Sequence, residues 1–111
     1  ADPGVISSYY HLADIYEALK DYDKAATCYF TIIRSLEEQY GIHYWQLSSI
    51  YNNLGLVYAR SGKLAEAENA YRHSLDILVR KYGPDHPEVA TVLENLNSIY
   101  EQRSKNEGKT A

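Results

Sequence analysis

At 111 residues the chain has room for one domain and one modest core, and its 15 acidic against 11 basic side chains leave a net charge of −4, the wrong sign for a surface that tracks phosphates, so no nucleic-acid partner is expected. No apolar run approaches the roughly 20 residues that span a bilayer, and the start lacks the charged and apolar regions of a signal peptide, so membrane insertion is not expected. One cysteine, Cys28, cannot close an internal disulfide, and no Asn is followed two places later by Ser or Thr, which sets an intracellular, cytoplasmic default.

In chain order, residues 1–4 ("ADPG") look like a vector-derived scar and are set aside from the fold. Tyr9, Leu12, Ile15, Tyr16 and Leu19 then recur at three and four residues, which places them on one face of a helix over 5–20. The short polar "KDYDKA" turns the chain into a second helix, 22–40. The joint "IHYWQ" leads to a third, 46–60, and "SGKLAEA" closes it, with Gly62 free to take a positive φ. Leu64, Ala67, Tyr71, Leu75 and Leu78 carry an apolar stripe along a fourth helix, 64–82. Gly83 ends it, Pro84 cannot continue it, and Pro87 suits the first turn of a fifth, 87–103. Residues 104–111 are polar and aperiodic, a tail left outside the fold.

These elements repeat. Tyr40 and Gly41 return 42 residues later as Tyr82 and Gly83, and the same offset carries Leu12 to Leu54 and Leu96, and Tyr16 to Tyr58 and Tyr100. Ala25 and Ala67, Tyr29 and Tyr71, Leu36 and Leu78, and Asn53 and Asn95 pair in the same way. A fixed period is a stronger signal than local propensity and specifies stacked helix pairs with a terminal helix covering the open end. The division is 5–45, 46–86 and a capping helix or truncated third unit at 87–103, within one domain of 5–103. The 12 tyrosines against one Phe and one Trp suit half-buried seams between helices, since each ring is apolar and each hydroxyl needs a partner.

At this resolution of detail the residues resemble the tetratricopeptide repeats. The first-helix pattern stands as Tyr9, Leu12, Ala13 and Tyr16, as Tyr51, Leu54, Gly55 and Tyr58, and as Leu93, Leu96, Asn97 and Tyr100; the second-helix pattern stands as Ala25 with Tyr29 and Ala67 with Tyr71. The period of 42 and the joint "YGPDHPEVATVLENL" resemble the kinesin-light-chain branch. Asn97, in place of a small residue, fits an end helix without a close neighbour, and "IHYWQ" replaces the Pro-led joint between the first two copies. The resemblance implies an all-α, right-handed α-solenoid of antiparallel helix pairs that binds a peptide of a partner protein on a concave face lined by the first helices. It also implies that Asn53 and Asn95 hold the bound backbone, with His11 at the equivalent place in the first copy. An amide offers donors and an acceptor to any peptide unit, although the same residue also serves as an ordinary solvated Asn.

At helical spacing the face should also carry Tyr10, Asp14 and Glu17, then Asn52, Leu56 and Arg60, then Glu94, Ser98 and Glu101. Four acids against one Arg and a His favour a partner with basic residues, unless those charges only keep the surface wet. Tyr44 and Trp45 form either a binding hot spot or a staple for the next helix. Cys28, aligned with Ala70, reads as a small buried filler, His86 as a capping or packing residue, and His43 and His73 have no metal-ligand spacing. There is no phosphate-cradling Gly loop, nucleophile elbow or zinc-binding His pair, so neither an enzyme nor a cofactor is expected. The alternative is a self-assembly module that dimerises or packs within a larger complex through its open helical ends.

Overall fold

A computed structural model describes residues 3–110, with side chains described to 107, and contains five helices: α1 (Pro3–Ala18), α2 (Tyr22–Tyr40), α3 (Leu47–Arg60), α4 (Leu64–Tyr82) and α5 (Pro87–Thr110). Each packs on the next, α1 on α2, α2 on α3, α3 on α4 and α4 on α5. The result is two antiparallel pairs and a closing helix in a body of 49 × 36 × 20 Å.

The bounds of α2 and α4 match the sequence reading, and the ends of α1 and α5 depart from it. α1 begins at Pro3, so the helix takes in Pro3 and Gly4 of the stretch set aside as vector-derived, while Ala1 and Asp2 lie outside the described residues. Proline fits there as it does at Pro87, because the first turn has no use for its missing N–H. α5 runs on through residues 104–110, which had been assigned to a polar tail. Arg103 is held by Glu68 of α4 at the point where the other first helices stop.

The two turns inside the pairs repeat atom for atom. The Lys63 N–H donates to Tyr58 O at 2.9 Å and the Asp21 N–H to Tyr16 O at 2.8 Å, each wrapped around a left-handed residue. Gly62 takes φ 82°, and Lys20, one period earlier, takes φ 61° despite its side chain. Asp21 then accepts from the Lys24 N–H at 3.4 Å and caps α2.

Burial follows the period. Leu47, Ile50, Leu54 and Val57 of α3 are buried, and so are Val89, Val92, Leu96 and Ile99 of α5, each 42 residues on. The α3 set shares an apolar cluster with residues of α1, α2 and α4, and the α5 set one with Ala67, Tyr71 and Leu78 of α4. Gly55 explains why the first-helix pattern needs a small residue: a Cβ there would stand 2.5 Å from Cε1 of Tyr71. One buried polar link crosses the second pair, the Ser74 hydroxyl donating to Ser48 O at 2.7 Å.

The tyrosines fill half-buried seams, Tyr9, Tyr10, Tyr16, Tyr51 and Tyr58 among them. Two hydroxyls find carboxylates on a neighbouring helix, Tyr29 donating to Glu17 at 3.2 Å and Tyr51 to Glu37 at 2.9 Å. Burial, then the Glu37 hydrogen bond and charge, push the Tyr51 phenol up to about 12, and burial pushes Tyr71 up to about 12 against the nearby Arg60. A raised phenol pKa means that the fold keeps protons which the unfolded chain gives up near pH 10. Stability is therefore whole below about pH 10 and is lost as pH climbs toward 12. Urea midpoints taken from pH 8 to 12 should hold level and then fall; a profile flat to pH 12 would show that these phenols titrate alike in both states.

Candidate functional site: a trough across the first helices

Two clefts open between α1, α3 and α5. The larger, about 540 Å³, lies between Ile6 and Tyr10 of α1, Tyr40 and Tyr44 behind them, and Ser48, Ser49 and Ile50 of α3. The smaller, about 170 Å³, runs from Ser49 and Asn52 to Thr91 and Val92 of α5, with Ser74 and Leu78 of α4 as its floor. They share Ser48, Ser49 and Glu88, so they form one trough crossing all three first helices.

Asn52 lines the smaller cleft, while Asn53 and Asn95 line neither. Asn95 Nδ2 donates to Asn52 Oδ1 at 3.0 Å, tying α5 to α3, and Asn53 is half-buried beside Asn52. The pair leaves an amide donor on Asn52 and an acceptor on Asn95, a combination that suits a peptide unit. Asn95 is thus engaged with another side chain of the fold, because the 43-residue separation of Asn52 and Asn95 places them opposite each other on adjacent first helices.

Tyr10 enters the trough from α1, edge-on to Tyr29 at 6.3 Å. Burial raises its phenol, with a hydrogen bond to Ser49 working the other way. Leu56 is half-buried against the α4–α5 core, so it is partly spent on packing. His11, Asp14, Glu94 and Ser98 are exposed on the first helices and line neither cleft.

The charges sort differently from a count along the face. Arg60 Nη1 meets Glu17 Oε1 at 2.7 Å and links α3 to α1. That cancels the cation with one of the acids, and Asp14, Glu88, Glu94 and Glu101 carry no ion pair among the described residues. Of these four only Glu88 lines the clefts; the other three stand exposed on the first helices outside them.

At the edge of the trough Tyr44 stacks on Tyr40 at 4.2 Å and its hydroxyl reaches Gln46, which makes it the staple of the joint before α3. Trp45 stays 44% exposed with Lys81 Nζ 5.1 Å from its ring centre. His86 caps α5, its Nδ1 accepting from the Glu88 N–H at 3.1 Å while its ring stacks on Tyr82 at 4.1 Å. Cys28 is buried, and burial pushes its thiol up, away from reactivity. The sequence reading missed Ile6, Leu36 and Gln39 as walls of the larger cleft, since they reach it only through the packing of α1 and α2 tips against α3. No group of three His, Cys, Asp or Glu side chains placed to hold a metal occurs among the described residues.

Residues 46–107 match a family model described as tetratricopeptide repeat, and residues 6–31 match a second model of the same description. The chain belongs to the tetratricopeptide-repeat family. Among solved structures it is similar to the crystal structure of BtubC (BKLC) from P. vanneervenii, with 28% sequence identity and a TM-score of 0.78 over 88% of this chain and 39% of that one. The chain thus spans well under half the length of that neighbour. Comparison with curated proteins finds no match. The tetratricopeptide-repeat assignment carries the all-α solenoid, the kinesin-light-chain-like repeat and a role as a protein–protein interaction scaffold, in a family that is generally non-catalytic. No described helix is long and apolar enough to cross a membrane.

Proposed function

We propose that the trough holds a peptide segment of a partner protein, its backbone bound by Asn53 and the Asn52–Asn95 pair and its basic side chains met by Asp14, Glu88, Glu94 and Glu101. The observation that carries this reading is the Asn52–Asn95 hydrogen bond at 3.0 Å within a trough that crosses three helices. It presents a donor and an acceptor side by side where an extended chain would lie, without regard to the ligand's sequence. Specificity is then left to the side chains, and the uncompensated acids favour Lys and Arg.

Selection of a random peptide display library on the immobilised chain tests this. Enriched peptides should carry an excess of Lys and Arg, compete with one another, and bind more weakly as salt rises. Enrichment of acidic peptides, or of binders that do not compete, would overturn the assignment. The self-assembly alternative has in its favour the exposed apolar residues of both end helices, Val5, Leu12 and Ile15 of α1 and Leu93 and Tyr100 of α5.

A further inference from the structure

A cleft of about 240 Å³ opens between α2 and α4, on a face of α3 turned away from the trough. Phe30 of α2, Tyr51 and Tyr58 of α3 and His73 of α4 line it with four rings, and buried Leu54 and Ala70 form its floor. Phe30, 44% exposed, meets Tyr58 at 6.5 Å and 57°, so the two rings wall a wedge. Tyr51 stacks on His73 at 4.9 Å, and its hydroxyl is tied to Glu37. Glu66 and Asn69 stand exposed at the rim.

The repeat shows what the Tyr58 position meets elsewhere. One period earlier, Tyr16 has Lys24 Nζ 5.7 Å from its ring centre. One period later, Tyr100 accepts a hydrogen bond from Arg72 Nη2 at 2.5 Å. In the middle copy both cations are replaced: Glu66 stands in the place of Lys24, and Phe30 in the place of Arg72. Lys63, just past the turn from Tyr58, is held by Asp23 of α2 at 2.9 Å. Arg34 lines a neighbouring cleft with Thr27 and Thr31 rather than this one. Glu66 carries no ion pair among the described residues. The first and third tyrosines thus receive a cation from the fold, and the second receives one more ring and a free carboxylate, the complement of a cation from outside.

We propose that this cleft is an aromatic cage for the trimethylated lysine side chain of a partner protein. Ring faces attract a cation through their quadrupole, and Glu66 adds a full negative charge at the mouth. Because Glu66 and Asn69 stand at the rim, a cation that reaches the rings has carbon on its inner side. The N–H donors of an ordinary ammonium go unpaired there, whereas a trimethylammonium has none and packs its methyl groups on the rings and on Leu54 and Ala70. A lipid headgroup of the same chemistry is a poorer occupant, since the rim offers Glu66 and Asn69 rather than apolar side chains that would enter a bilayer. α3 separates the cage from the trough, and the two ligands are independent of each other.

The test titrates the isotope-labelled chain with a Gly-Ser peptide carrying one central trimethyllysine, and with the same peptide carrying lysine or the uncharged tert-butyl isostere of trimethyllysine. The trimethyllysine peptide should move the amides of Phe30, Asn69 and His73 and bind about tenfold or more tightly than either control. Glu66→Lys, an exposed change that restores the pairing of Lys24 with Tyr16, should abolish binding and leave the denaturation midpoint unchanged. Phe30→Leu should weaken binding about tenfold. Equal binding of the lysine peptide or of the isostere, or binding that survives Glu66→Lys, would overturn the proposal. Free choline that moves the same amides at lower concentration than the peptide would overturn it as well, by giving the cage to a headgroup.

Discussion

Gly55→Val is expected to lower the stability of the fold by about 3 kcal/mol, the upper part of the range for overpacking a close-packed core. A Cβ at Gly55 would stand 2.5 Å from Cε1, 2.7 Å from Cδ1 and 2.9 Å from Cζ of Tyr71, so the whole ring has to move rather than one flexible tip. Tyr71 is 2% exposed and sits in the α4–α5 cluster with Leu78, Val92 and Leu96, so it can move only by disturbing the next layer. Any helix-propensity gain on replacing Gly is under about 1 kcal/mol and runs the other way. In a domain of this size the loss corresponds to roughly 12–20 °C in Tm. Tyr71→Leu alone should also destabilise by leaving a void, and the double variant should lose less than the sum of the two, because each relieves the other. A midpoint for Gly55→Val within about 0.5 kcal/mol of the parent would contradict the packing described for the second pair.

For ligand binding, the double substitution Asn53→Ala with Asn95→Ala is expected to weaken a selected peptide by about 2–3 kcal/mol, roughly 30- to 150-fold in Kd. Each amide contributes about one hydrogen bond to the ligand backbone, and Asn95→Ala also releases Asn52 from the bond that orients it. Asn53 is half-buried and outside the apolar clusters, so its truncation leaves the core intact. Fluorescence anisotropy of a labelled peptide would give the loss, and circular dichroism would show both proteins equally helical. A Kd changed less than threefold would remove the asparagines from the site.

Much of this architecture is legible in the chain because the helical period and the 42-residue period agree. α2 and α4 could be bounded to the residue, since a turn lies on either side of each, Asp21 and Gly41 for one and Lys63 and Gly83 for the other. The ends of the array were less legible for a physical reason. α5 meets no Gly-Pro stop of the kind that ends α4, so its polar stretch continues as helix, and α1 takes in Pro3 and Gly4 ahead of its apolar stripe. At the site, face assignment from helical spacing placed Tyr10 and Asn52 in the clefts but could not see partners on other helices. Arg60 and Glu17 lie 43 residues apart and neutralise each other, and Leu56 turns toward the second core. The larger cleft has no signature in spacing, because its walls come from the tips of α1 and α2, the joint and the start of α3.

Central to the account is that the first-helix face, and not the opposite one, takes the ligand. The most direct measurement is the set of amide shifts in the isotope-labelled chain on titration with a selected basic peptide. Shifts concentrated at Tyr10, Ser49, Asn52, Asn53, Thr91 and Asn95, with Phe30, Asn69 and His73 on the opposite face unmoved, are the predicted result. Shifts centred on Phe30, Asn69 and His73 while the asparagines stay still would contradict it.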